Sequence, residues 1–311
     1  MLLSTTAERM YWTARYLERI ENTARLISVY HKLLLDLPGG VDITWYNLIV
    51  LNSGEDAFAS RYKKRDERNV LKFMLVDEQN GSTLSDVKIL RENIRTSRDV
   101  LASEVWECVN ELYLYIRDNN QQGLLRRQRY EFIDGIIKSC QQINGLLYDT
   151  TSHDDVWQFI QLGRNLERAD MTTRILDAGV SVLLQPGAEL GVDLSQVVWG
   201  HVLRSLSANL SYLRTMRARV SGPEVTQFLL EDEYFPRTLR YCHDRIIEAV
   251  HKLPGQEQVL EKLKAITSLR FKADTEQDLD DSFREYINEL QIQLLALHQC
   301  FYDSWFAFEE S

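Results

Sequence analysis

Two stretches of this chain carry nearly the same charged pattern. YLERIENTARLI runs from Tyr16 to Ile27, and NLERADMTTRIL runs from Asn165 to Leu176. The first brings Arg15, Glu18, Arg19 and Arg25 into play, and the second Arg164, Glu167, Arg168 and Arg174. These residue types allow three chemistries. Guanidinium groups can hold a carboxylate or phosphate. A glutamate can act as general base while a neighbouring arginine stabilises an oxyanion, in a site without metal. The charges can also pair only with each other and fix how long helices dock.

On a helical wheel, Thr13, Leu17, Ile20, Ala24 and Ile27 share an apolar arc with Tyr16, while Arg15, Glu18, Arg19, Asn22 and Arg25 lie opposite. Tyr11 and Leu26 interrupt that charged arc, as Ile160, Met171 and Ile175 do in the second copy. A fully solvated face seldom carries large apolar residues above and below its charges, so the arc reads as covered. Covered charges must pair. Arg15 and Asn22 stand one turn either side of Glu18, and Arg164 stands likewise before Glu167, so each carboxylate can be held within its own helix, and the networks can close within or between the two halves. Spacing leaves open whether the networks are self-satisfied or line a cleft with free arginines.

The segments belong to a longer repetition. Arg15 to Arg25 aligns with Arg164 to Arg174, Trp45 with Trp199, and VLKFMLVDE (Val70 to Glu78) with VTQFLLEDE (Val225 to Glu233). Blocks recurring in one order argue for duplication. The expected architecture is an all-α helical bundle of two pseudo-repeated halves, residues 1–150 and 151–311. The acidic pairs add Asp77, Asp232 and Glu233 as second candidates. They read first as helix ends, each followed by a capping Thr83 or Thr238, and alternatively as acids beside the arginines.

The elements that would position these groups are helices. Thr5-Thr6-Ala7-Glu8 reads as a capping box for a helix running to Pro38-Gly39-Gly40. Further helices are expected over Thr44–Tyr62, Glu67–Val76, from Ser82 or Thr83 towards Ser103, over Glu104–Asp118, and over Leu124–Asp149 after a Gln121-Gln122-Gly123 turn. Thr151-Ser152-His153-Asp154 starts the helix of the second motif. Helices near Leu194–Val220, Thr238–Lys252, Gln256–Leu269 and Thr275–Trp305 complete the chain.

Composition narrows function. The 311 residues carry a net charge of −10, which argues against a nucleic-acid binder. Cys108, Cys140, Cys242 and Cys300 form neither a CxxC pair nor a zinc knuckle, and they fit a reducing cytoplasm. The start does not read as a signal peptide, and no window of about 18 apolar residues offers a membrane span. No metal cluster, Gly-rich phosphate loop or nucleophile elbow occurs, so no cofactor is expected.

Several stretches resemble a known family. They are Ser4 to Arg25, Ser103-Glu-Val-Trp-Glu-Cys-Val-Asn-Glu-Leu-Tyr, Ser152 to Thr172, and Phe228-Leu-Leu-Glu-Asp-Glu-Tyr-Phe-Pro-Arg-Thr. Together they are similar to the bacterial alpha-E domain family, named for its helices and its Glu-Arg motif. That motif maps here onto Glu18-Arg19 and Glu167-Arg168. One departure is Asn80-Gly81-Ser82, where the family pattern more often has a Pro before the Ser. The resemblance implies partnership with circularly permuted ATP-grasp ligases and transglutaminase-like proteases. It implies a role in making or tailoring a peptide or amide-linked molecule, as an accessory or binding subunit. An enzyme in its own right and a purely architectural protein stay open beside that reading, as does a homo-oligomer.

Overall fold

The computed structural model describes residues 4–36, 43–79, 81–184 and 192–307. Among them are fourteen α-helices and no strand. They are α1 (Ser4–Asp36), α2 (Asn47–Leu51), α3 (Glu55–Arg61), α4 (Glu67–Leu71), α5 (Thr83–Arg95), α6 (Ser103–Leu124) and α7 (Arg126–Thr150). Then follow α8 (Asp155–Leu183), α9 (Val192–Ser205), α10 (Asn209–Met216), α11 (Gly222–Glu231), α12 (Leu239–Val250), α13 (Glu257–Ser268) and α14 (Asp281–Phe301). Single π turns extend α4 over Lys72–Val76 and α14 over Tyr302–Phe306.

The two long motif-bearing helices, α1 and α8, form the most extensive pairing in the molecule. Around them, α5 and α7 pack on α1, α12 and α14 pack on α8, and α9 touches both. A surface helix needs one apolar stripe, but a central helix must be covered all round. That is why Tyr11, Leu26, Ile160, Met171 and Ile175, which interrupt the charged arcs, are buried together with the ordinary apolar faces.

Side-chain caps fix several helix starts. Asp154 accepts from the Val156 amide at 3.0 Å, Ser82 from Ser85 at 3.0 Å, and Thr238 from Tyr241 at 3.2 Å. The Thr5–Glu8 box is not a cap, because α1 is already helical at Ser4. Gln121-Gln122-Gly123 is not a turn either. The α6 helix runs through it, and Gly123 is buried where a Cβ would lie 2.9 Å from Leu75 and Phe132. This glycine serves close packing.

Two expected long helices are broken. The stretch over Thr44–Tyr62 splits at Ser53, and that over Leu194–Val220 splits at Ser207, with φ of 52° and 55°. Left-handed backbone at a serine interrupts a helix, and tertiary contacts hold it there. The stop at Pro38-Gly39-Gly40, and Asn80 of Asn80-Gly81-Ser82, lie outside the described residues. No helix among the described residues is long and apolar enough to cross a membrane.

Candidate functional site

The site grows from the α1–α8 crossing. A Cβ on Gly163 would lie 2.1 Å from the carbonyl oxygen of Tyr11 and 3.3 Å from the Cβ of Ala14. Only a glycine lets the two backbones approach this closely. One turn beyond the contact, α1 carries Glu18 and α8 carries Glu167, so both carboxylates flank the crossing. Both are buried, at 0% and 2% exposure.

Each glutamate is held by arginines of the opposite helix. Arg15 Nε donates to Glu167 Oε2 at 2.7 Å. Arg19 donates from Nε to Oε1 at 2.7 Å and from Nη2 to Oε2 at 3.1 Å. In return, Arg168 Nη2 lies 2.5 Å from Glu18 Oε1, and Arg164 Nε lies 4.0 Å from the same atom. Of the two arrangements open to the sequence, pairing within each helix and pairing between the halves, Glu18 and Glu167 adopt the second. Side chains at the seam point at the neighbouring helix, and the shortest path for an arginine is onto its partner's carboxylate.

Arg25 and Arg174 do pair within their helices, with Glu21 at 2.7 Å and Asp170 at 2.8 Å. Each also reaches one of the left-handed serines. Arg25 Nη1 donates to Ser207 Oγ at 2.7 Å, and Arg174 Nη1 to Ser53 Oγ at 2.9 Å. These bonds tie the two helix breaks to the central pair.

One functional residue escaped the sequence reading. Arg237, buried at 8% exposure, donates to Asn22 Oδ1 at 2.7 Å, Glu18 Oε2 at 3.4 Å and Glu21 Oε1 at 3.3 Å. It sits in a loop without periodicity, and its signals were its place just before the capping Thr238 and within the Phe228–Thr238 stretch of the family resemblance. The acidic pairs contribute otherwise. Asp77 accepts from Arg61 at 3.0 Å, and its carbonyl accepts from the Ser82 hydroxyl. Asp232 accepts from the amides of Tyr234 and Phe235 at 3.0 and 2.7 Å. These are helix-end bonds, and the side chain of Glu233 turns to neighbouring Tyr234. None of the three acids pairs with the central arginines.

Electrostatics follow from burial and pairing. Burial alone would raise the Glu167 carboxyl, but Arg19 and Arg15 outweigh it and bring the group down to about 2. The same contest, with Arg168 and Arg237, leaves Glu18 below the usual carboxylate range. Burial pushes Tyr11 up to about 12 and, with Arg15 beside it, His298 down to about 4. Tyr11 Oη lies 2.8 Å from His298 Nδ1 and accepts from Arg15 at 3.2 Å.

Asp86, on α5, behaves differently. Burial pushes its carboxyl up to about 7, against the pull of Arg19. The folded chain therefore keeps a proton that the unfolded chain loses near 4. Asp86 favours folding fully below that pH, and the benefit is lost as pH rises towards 7. We expect Asp86→Asn to gain on the wild type over this window, on the order of 4 kcal/mol by pH 7, with a flat difference above. Urea midpoints at pH 4 to 8 measure it. A difference that does not vary with pH refutes it.

A family model described as a predicted alpha-helical domain with a conserved ER motif matches residues 2–306. The chain belongs to the Alpha-E family. Among its curated relatives are uncharacterized proteins of Mycobacterium bovis and Mycobacterium tuberculosis, each 24% identical over 269 residues. The match covers 79% of this chain but 29% of those proteins, so the chain spans less than a third of the length of these relatives. No solved structure matches significantly.

In this Alpha-E chain the outer side of the crossing is open. Arg15, Arg19 and Arg174 line a groove of about 310 Å³ closed on its far wall by α14, through Asn288, Gln291, Leu295 and His298. Arg15 Nη2 and Arg19 Nη1 have no hydrogen-bond partner among the described residues. The Glu167 carboxylate is taken up by Arg15 and Arg19, and the guanidinium groups of both also line the groove. Such an arrangement suits binding an anion more than removing a proton, because carboxyls held this acidic are weak bases at neutral pH.

Proposed function

We propose that this Alpha-E chain is a helical accessory or binding subunit of an ATP-grasp-linked system that makes or modifies a peptide or amide bond. It works in the cytoplasm with a circularly permuted ATP-grasp ligase and a transglutaminase-like protease. Its Glu-Arg cleft receives the partner or an acidic substrate. The observation that carries this reading is the division of labour at the crossing. Glu18 and Glu167 are consumed by internal ion pairs, whereas Arg15 and Arg19 keep free nitrogens in an open groove.

The enzyme reading, with Glu18 or Glu167 as base, loses support from the low carboxyl pKa values. We also read residues 1–150 and 151–311 as a duplicated unit. The reciprocal pairing of Arg15 and Arg19 with Glu167, and of Arg164 and Arg168 with Glu18, supports that, as do the matching serine contacts.

Co-expression of this chain with the ATP-grasp ligase of the same genome tests the proposal. The expected result is co-purification and a change in ligase turnover of ATP. Absence of association, with a ligase equally active alone, overturns it.

A further inference from the structure

The arginine groove does not end at Arg174. On the other side of that residue lies a second cavity of about 160 Å³, between α1, α2, α8 and α9. Arg174 and Gln291 line both spaces, so the two adjoin across these side chains. Their linings differ. The inner cavity is walled partly by aliphatic side chains, among them Leu26, Val29, Ile175, Val182 and Val202, with Asn47, Ser181 and Ser205 beside them. A cavity of about 150 Å³ is large enough for a benzene-sized group, so the volume of this one suits a single large apolar side chain. At its rim Arg284 is paired through Nε with Asp177 at 2.9 Å. The outer groove carries Arg15, Arg19 and Arg174 against Asp170, which Arg174 already holds. It is a cationic trough on a chain of net charge −10.

Between the two ends stand the side-chain amides of Asn288 and Gln291, which make no hydrogen bond among the described residues. Paired donors and acceptors of this kind suit a peptide backbone, whereas a hydrocarbon chain would leave them unsatisfied. Length agrees. Ala178 in the inner cavity lies 11 residues beyond Glu167 along α8, about 17 Å at the helical rise. Five extended residues span about the same distance.

We propose that the two adjoining cavities form a binding site for an extended peptide of about five residues, which crosses over Arg174 and Gln291 with a large aliphatic or aromatic side chain in the inner cavity and carboxylates over Arg15 and Arg19. The proposal rests on reading the groove as a binding site and names its ligand class.

Calorimetric titration of the full chain tests it, with the peptides Leu-Ala-Ala-Ala-Glu and Glu-Ala-Ala-Ala-Leu covering both chain directions, and Lys replacing Glu in the controls. One of the acidic peptides should bind saturably, and its Lys counterpart about tenfold more weakly or less. Two substitutions probe the two ends. Ala178→Phe fills the inner cavity, and Asn288→Glu places a competing carboxylate on an exposed position beside the arginines. Each should weaken binding about tenfold, and Asn288→Glu should leave the melting temperature unchanged. Absence of saturable binding by either acidic peptide up to about 2 mM overturns the proposal, as does equal binding by wild type and both variants. A chain that binds its ligase but no peptide would sink this proposal and leave the accessory reading standing. One that binds peptide but no ligase would do the reverse.

Discussion

Glu167→Gln is expected to lower folding stability by about 3–5 kcal/mol. The carboxylate takes three hydrogen bonds from two arginines that themselves lie in the packed seam. An amide keeps the shape but neutralises the charge, and one of its two ends becomes a donor facing donors. Arg15, whose side chain is 11% exposed, cannot swing into water without unpacking from Tyr11 and Trp12, over whose rings it lies at 5.7 and 5.2 Å. The loss therefore reflects a stranded buried cation more than the worth of the pair. Replacing Glu167, Arg15 and Arg19 together by methionine should recover much of it, since an apolar triad has no charge to strand. Urea unfolding of the single and triple variants decides the matter. If the triple variant is the less stable of the two, the pairing itself is the source of stability and this account is wrong.

Gly163→Ala comes next, with an expected cost of about 3 kcal/mol or more. The added Cβ would stand 2.1 Å from the Tyr11 carbonyl oxygen, a backbone atom inside α1 that no rotamer change can move. The helices must separate, and the arginines then lose their reach to Glu18 and Glu167. In an exposed helix the same substitution helps. Gly145 on α7 has nothing within 4 Å of its would-be Cβ, so Gly145→Ala should stabilise by up to about 1 kcal/mol. Thermal unfolding of the two variants should therefore shift in opposite directions. Shifts of the same sign would mean that helix propensity, not the crossing, governs position 163.

Part of this was legible from residues alone. Apolar residues at 3.6-residue spacing marked the helices, and large residues inside the charged arcs marked those arcs as covered. Tyr11 and Ile160 are indeed fully buried. What failed were punctuation marks read locally. Gly123 looked like a turn and is a packing contact within α6. Ser53 and Ser207 gave no warning that they break helices, because the arginines that hold them lie more than a hundred residues away in the chain. Arg237 was invisible for the same reason: nothing near it in sequence needs its charge.

The amino-acid order, then, determined which side chains are charged, where they recur, and that the described residues form helices and no strand, since these follow from composition and short-range spacing. Only the tertiary structure decided which carboxylate each arginine serves. Spacing within a helix favours the neighbour one turn away, but the close crossing at Gly163 makes the opposite helix nearer to each guanidinium. It also left two guanidinium edges facing a groove whose far wall comes from α14, near the other end of the chain. No local pattern encodes that meeting, because it depends on how separate helices pack.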